Sequence, residues 1–232
     1  MRKLMNDLAR FVDLDPLKKP VNALAIVPQN RKITTLGRKA YNVMLSIAQT
    51  QGIEKESYRA PLAEIVSGID YGSHDLELIK NSPQQNPVLE LIKKHLRAMA
   101  STIVEWNSPT TGEGLKWAVC SLISHASIVK KSNQNFLEWS YAQPLRQELL
   151  APAVFSKLSL GMLSQMHTHA GIVLYEICTR YKNVGRTARQ DWHWWLPVLT
   201  GQPASERLAK TEYRFFKRDT IKPAIAEVCL IT

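Results

Sequence analysis

Three cysteines in 232 residues are too few and too scattered for covalent or metallic scaffolding. Cys120, Cys178 and Cys229 form no C-x-x-C pair and no Cys/His ligand pattern, which excludes zinc ribbons and disulfide-stapled folds. They read as reduced core residues of a cytosolic protein. No apolar run approaches the roughly 18 to 20 residues that a membrane span requires. The acids and polar residues of LMNDLARFVDLD, after the basic start, break what would have to be a signal-peptide core. The expected location is therefore the cytoplasm, with no membrane partner. There is no G-x-x-x-x-G-K-[ST] loop to cradle ATP phosphates. Acid is also scarce: 20 Asp and Glu stand against 30 Lys and Arg, for a formal charge of +10. That excess favours a nucleic acid or an anionic surface as partner.

Catalytic groups are missing as well. His167 and His169 are two apart on a predicted helix, so they point in different directions, and no third ligand has a suggestive spacing. His125 falls in a predicted strand and reads as a packed histidine. No clustered acids or Tyr/His set of the kind a nuclease or relaxase needs is visible, so no enzyme, cofactor or metal is expected.

What is present is a core's worth of apolar sequence, 45% of residues, arranged with helical and then strand periodicity. Residues 1–22 read as an arm, with an amphipathic segment around Leu4, Leu8 and Phe11 before Pro16 and Pro20. Thr34 or Thr35 then caps a helix to about Gln51, with Ala40, Val43, Met44 and Ile47 inward and Gly52 closing it. A short extended piece at Ser57–Ala60 precedes a helix opened by Pro61, a turn over Gly68–Gly72 and a polar loop at Asn81–Asn86. Pro87 opens a further helix, with Leu91, Leu96, Met99 and Ile103 inward and Lys93, Lys94 and Arg97 outward. Val104–Trp106, Trp117–Val129 and Phe136–Tyr141 read as strands, with a hairpin loop over Ser108–Gly114. Helices followed by a hairpin outline a winged helix.

The outline then begins again. After a connector over 144–155 comes a long helix, Leu158–Tyr181, then a turn at Gly185–Arg189 and a short helix, Asp191–Leu199, whose Trp192, Trp194 and Trp195 read as a hydrophobic core. The last element, Glu206–Val228, reads as one amphipathic helix. Tyr213, Phe216, Ile221, Ala224 and Val228 form its buried stripe, and Lys210, Arg214, Arg218 and Lys222 stack at i,i+4 with Lys217 beside them. Like charges at that spacing repel, so the arrangement points to a polyanion, and a basic helix packed on one side matches the DNA-contacting part of helix-turn-helix proteins. Pro223 is expected to bend this helix or to be tolerated near its end. The reading requires Arg214, Lys217 and Arg218 to be neither packed inside nor capped by neighbouring carboxylates. Arg214 and Arg218 are the candidates for base edges, and Lys210, Lys217 and Lys222 for phosphates; Lys93, Lys94 and Arg97 are the equivalent set in the first half.

These residues resemble the iteron-binding replication initiators of bacterial plasmids. LYEICTRY, Leu174 to Tyr181, is similar to that family's Leu-Tyr-Glu helix end, and EYRFFKRDTIKPAIAEV, Glu212 to Val228, to its recognition-helix signature through Phe216, Lys217-Arg218, Ile221, Ala224 and Glu227-Val228. The first half fits more loosely, through LGRKAYNVML and the strands after Trp106. The resemblance spans about residues 23 to 232 and implies an α+β fold of two tandem winged-helix domains, 23–150 and 151–232, the second lacking its C-terminal wing hairpin in this chain. It further implies monomers on directly repeated origin sites, dimers formed through the first domain on an operator at the protein's own promoter, and recruitment of the host initiator and helicase. Asp219 stands where the family often has a third basic residue. A winged-helix transcriptional regulator without a replication role is the alternative.

Overall fold

In the computed structural model, which describes residues 16–69, 87–107, 117–132, 134–187 and 189–232, regular structure begins at strand β1 (Leu17–Pro20). The segment around Leu4, Leu8 and Phe11, the Asn81–Asn86 loop and the Ser108–Gly114 loop lie outside the described residues. Part of the expected arm is built into the molecule: β1 pairs antiparallel with Phe155–Leu158, Leu17 opposite Leu158, and Leu17 and Lys19 are buried. Helix α1 (Thr35–Gln51) follows the Thr34 cap, whose hydroxyl accepts from the Gly37 amide at 3.0 Å, and it ends at Gly52, whose φ of +92° suits glycine. Ala40, Val43, Met44 and Ile47 are buried as their spacing demands.

Strand β2 (Tyr58–Pro61) leads into α2 (Leu62–Ile69), and α3 (Pro87–Ser101) stops before β3 (Ile103–Asn107). Ile103 thus belongs to a strand, exposed, and not to the buried stripe of α3, which is Ile92, Leu96 and Met99. The expected strand from Trp117 to Val129 is two: β4 (Trp117–Ser121), paired with β3, and β5 (His125–Lys131). His125 is exposed at the start of β5 and not packed. β5 turns through Ser132 into β6 (Gln134–Ser140), and a three-stranded antiparallel sheet runs β2-β6-β5. Its register places Tyr58 against Trp139 and Ile128 against Leu137.

The expected connector holds helix α4 (Gln143–Leu150) and strand β7 (Phe155–Leu158), the partner of β1. The long helix expected from Leu158 is broken into α5 (Leu160–Gln165) and α6 (His169–Tyr181), each with its own hydroxyl cap, Ser159 and Thr168. Then come α7 (Trp192–Thr200), α8 (Glu206–Ala209), α9 (Tyr213–Phe216), a π-helical turn (Lys217–Ile221) and α10 (Lys222–Ile231). The fold is mixed α+β. No helix among the described residues is long and apolar enough to cross a membrane.

Two apolar clusters organise these elements. The larger gathers Met44 and Leu45 of α1 with Tyr58, Leu137 and Trp139 of the sheet, and continues past residue 150 into Leu158, Leu163, Met166 and Ile172. The smaller holds Val173, Ile177, Val198, Leu208, Phe216 and Ala224, together with Leu24 from the chain's beginning. Burial therefore ties sequence-distant segments across the middle of the chain.

A charged knot reinforces that tie. Glu176 of α6 is fully buried and accepts from Lys19 Nζ at 2.7 Å, from Asn42 Nδ2 at 2.8 Å and from Arg38, while Arg38 also donates to the Leu24 carbonyl at 2.7 Å. Burial, then the adjacent Arg38, lowers the Lys19 pKa to about 7. The neighbouring cations Arg38 and Lys19 hold the Glu176 carboxyl below its ordinary range, against the opposing effect of burial.

Candidate nucleic-acid interface

The basic segment is not one helix from Glu206. Ser205 caps α8 through its hydroxyl to the Leu208 amide at 3.2 Å, the chain leaves helical geometry at Glu212, and α9 starts there anew. From Tyr213 the backbone stays helical through Ile231, with one wide turn in which the Lys222 amide donates to the Lys217 carbonyl. Pro223 explains the turn. It has no N–H, and in a regular helix its ring would press on the Asp219 carbonyl, so an i→i+5 turn relieves the clash. Lys210 is thereby separated by the break and Lys222 is shifted by the wide turn, so the even i,i+4 row becomes a basic cluster centred on Arg214, Lys217 and Arg218.

Phe216 and Ala224 are buried and Ile221 and Val228 half-buried, so the inner face is largely as the spacing predicts. Tyr213 is the exception, 46% exposed. Its ring stands 5.7 Å from that of Trp192, which also lies 6.1 Å from Phe216, so the start of α7 abuts the start of the rod.

Lys210, Arg214, Lys217, Arg218 and Lys222 are all exposed. Two of them have acidic partners, so the requirement that no carboxylate cap these side chains fails for Arg214 and Arg218 and holds for Lys217. Arg214 Nε lies 2.9 Å from Glu212 Oε2, with Nη2 donating to Oε1 at 3.2 Å; Arg218 donates from Nε and Nη2 to the two oxygens of Asp219 at 2.5 and 2.8 Å. The hydrogen bonds from Arg218 lower the Asp219 pKa and raise that of Arg218. Both guanidinium groups also lie over the Phe215 ring, 4.7 Å (Arg214) and 5.0 Å (Arg218) from its centroid, and Lys217 Nζ lies 6.0 Å from the Tyr213 ring. Among the described residues Lys210, Lys217 and Lys222 form no ion pair.

In the first half, Lys94 and Arg97 are exposed on α3, and Lys93 pairs with Glu90 at 2.6 Å, one turn back. Among the described residues, no hydrogen bond or ion pair joins these three to residues 206–231. Other cations escaped the sequence reading. Lys182, Arg186 and Arg189 are exposed in the turn between α6 and α7, and Arg207 is exposed on α8. Their signal was density, three cations in eight residues around Gly185, in a stretch that reads only as a turn.

Of the α7 tryptophans, Trp192 and Trp195 pack against the smaller apolar cluster as expected, and Trp194 does not. Leu196, Val198 and Leu199 are the buried residues of that helix, whereas Trp192 and Trp195 are half-buried and Trp194 is 40% exposed. Cys178 and Cys229 are exposed and Cys120 half-buried, and none of the three is in a disulfide, so the expectation of core cysteines fails for two. No group of His, Cys, Asp or Glu among the described residues is arranged to hold a metal.

The far end of the rod is clamped. Glu227 accepts from the amides of His167 at 2.5 Å and Thr168 at 3.3 Å and from the Thr168 hydroxyl, which itself caps α6 at the Gly171 amide. A Cβ at residue 171 would run into that carboxylate, so any larger residue there would push Glu227 off the amides it holds. Glu176 and Glu227, both within the stretches that carry the family resemblance, hold the scaffold under the basic face and are not part of that face.

No protein-family model matches this chain, and no curated protein does. Among solved structures, the chain is similar to a crystal structure of domains 2 and 3 of RctB, with a TM-score of 0.44 and 12% identity, over 84% of this chain and 68% of that one.

Proposed function

We propose that this chain is a sequence-specific double-stranded DNA-binding protein that initiates plasmid replication by gripping directly repeated origin sites, without catalysis of its own. The observation that carries the reading is the rod over residues 213–231, anchored by Phe216 and Ala224 and presenting Arg214, Lys217 and Arg218 to solvent. Among the described residues of 35–140 the order is helix, strand, helix, helix, then the β3–β4 pair and the β5–β6 hairpin edged by β2; apart from the interposed β3–β4 pair, this order supports a winged helix in the first half. The succession of α6, α7, the short α8 and the rod supports a second. Dimerisation through the first domain on an operator, and recruitment of a host initiator and helicase, belong to the same proposal.

The carboxylates at Arg214 and Arg218 change the division of labour. Each arginine spends Nε and one proton of Nη2 on its acid, which leaves Nη1 and the outer edge of the fork free. That edge is the one that pairs with guanine O6 and N7, and the acid fixes its plane. Charge for the phosphates falls to Lys210, Lys217 and Lys222.

Binding to duplex DNA across a salt series tests this. Lys217→Ala is expected to lower the slope of log K against log salt by roughly one, and Arg218→Ala to weaken site preference. If neither changes affinity or slope, the rod is not the contact element. Footprints evenly repeated along the DNA support an origin; a lone inverted repeat supports a regulator instead.

A further inference from the structure

We infer that Phe215 is a base-reading residue whose ring meets the C5-methyl group of a thymine in the major groove. The inference rests on the rod being the DNA contact and names what part of its specificity comes from. A single exposed phenyl ring is ordinary on a protein surface; this one is not solitary. It is 37% exposed, next to the buried anchor Phe216, and guanidinium groups from the preceding residue and from one turn ahead lie over it. Each guanidinium is tethered by an acid at the outer end of the row, so Glu212, Arg214, Phe215, Arg218 and Asp219 form one held unit. The unit presents two planar donors that both lie over one apolar ring, and the remainder of that ring is open to solvent.

The major groove contains complements to both parts. Guanine offers O6 and N7 to an arginine fork, and thymine alone among the unmodified bases offers a methyl group to an apolar side chain. An α-helix enters that groove, whereas wedge-like phenyl insertion belongs to the minor groove. The preferred site should therefore contain a thymine within a step or two of guanines, and its methyl group should matter.

The test uses the full chain. A duplex site is enriched from a random-sequence library, and each thymine in it is then replaced by uracil, which removes only the methyl. For the wild type, one replacement should weaken binding about four-fold, the worth of one buried CH₂-sized group. Phe215→Ala should bind the thymine and uracil duplexes equally with an unchanged salt slope, and Phe215→Leu should keep part of the preference. Lys217→Ala should lower both affinities and leave their ratio alone. Methyl dependence that survives in Phe215→Ala, or a wild type indifferent to every methyl, overturns the inference while leaving duplex binding intact. A folded wild type that enriches no site overturns the proposed function and this inference together.

Discussion

His169 lies buried with both ring nitrogens unpartnered among the described residues, beside Gly201, where a Cβ would stand 2.7 Å from Nε2. Gly201 also takes a φ of +65° at the end of α7, so glycine is required twice over. Burial first, then the positive Arg38, outweighs Glu176 and lowers the His169 pKa to about 3. Between pH 6.5 and 3 the unfolded chain takes up a proton that the folded chain refuses, so stability falls with pH across that window, by at most about 1.4 kcal/mol per pH unit. His169→Gln should remove this component. Urea midpoints of the two proteins at pH 7 and pH 4.5 measure it: the gap between them should shift in the variant's favour at the lower pH.

At the scale of elements, the rod and α6 are locked by a carboxylate at a helix start, where the free amides and the helix dipole both favour negative charge. Residues Met166 to Thr168 read as continuous helix in the sequence because Leu163, Met166, Ala170 and Val173 keep helical spacing. The break there is stabilised by Glu227, about sixty residues away, bonding the amides of His167 and Thr168. Glu227→Ala should cost about 1.5 to 3 kcal/mol, the range for hydrogen bonds to a charged group, and should lower the urea midpoint without changing the slope. An unchanged midpoint would mean that the clamp carries no stability.

On the scale of the whole molecule, two interactions tie the segments before residue 150 to those after it. Shared apolar burial and the Glu176 knot do so together, since the knot joins β1, α1 and α6. Removing one member of a buried ionic set strands the others, at a cost of about 3 to 5 kcal/mol. Glu176→Ala should therefore unfold at clearly lower urea than wild type, because Lys19 and Arg38 lose their counter-charge. Also replacing Lys19 with Met should restore only part of the midpoint, because buried Arg38 still lacks its counter-charge; no loss in Glu176→Ala would remove the knot from the account of stability.

Sequence by itself determined what depends on neighbours within a turn or two: a threonine cap at Thr34 or Thr35, the stop at Gly52, the inward face of α1, the exposed basic residues of the last element and their anchor Phe216. These follow from spacing and capping, which a short window contains. Tertiary structure decided the rest. It chose Thr34 as the cap, buried Lys19 in what read as an arm, left Trp194 of α7 in solvent, broke the basic row into a cluster, and brought Glu227 to the start of α6. Which charge meets which partner, and which aromatic stays wet, depends on residues far apart in the chain approaching in space, and no local period records that.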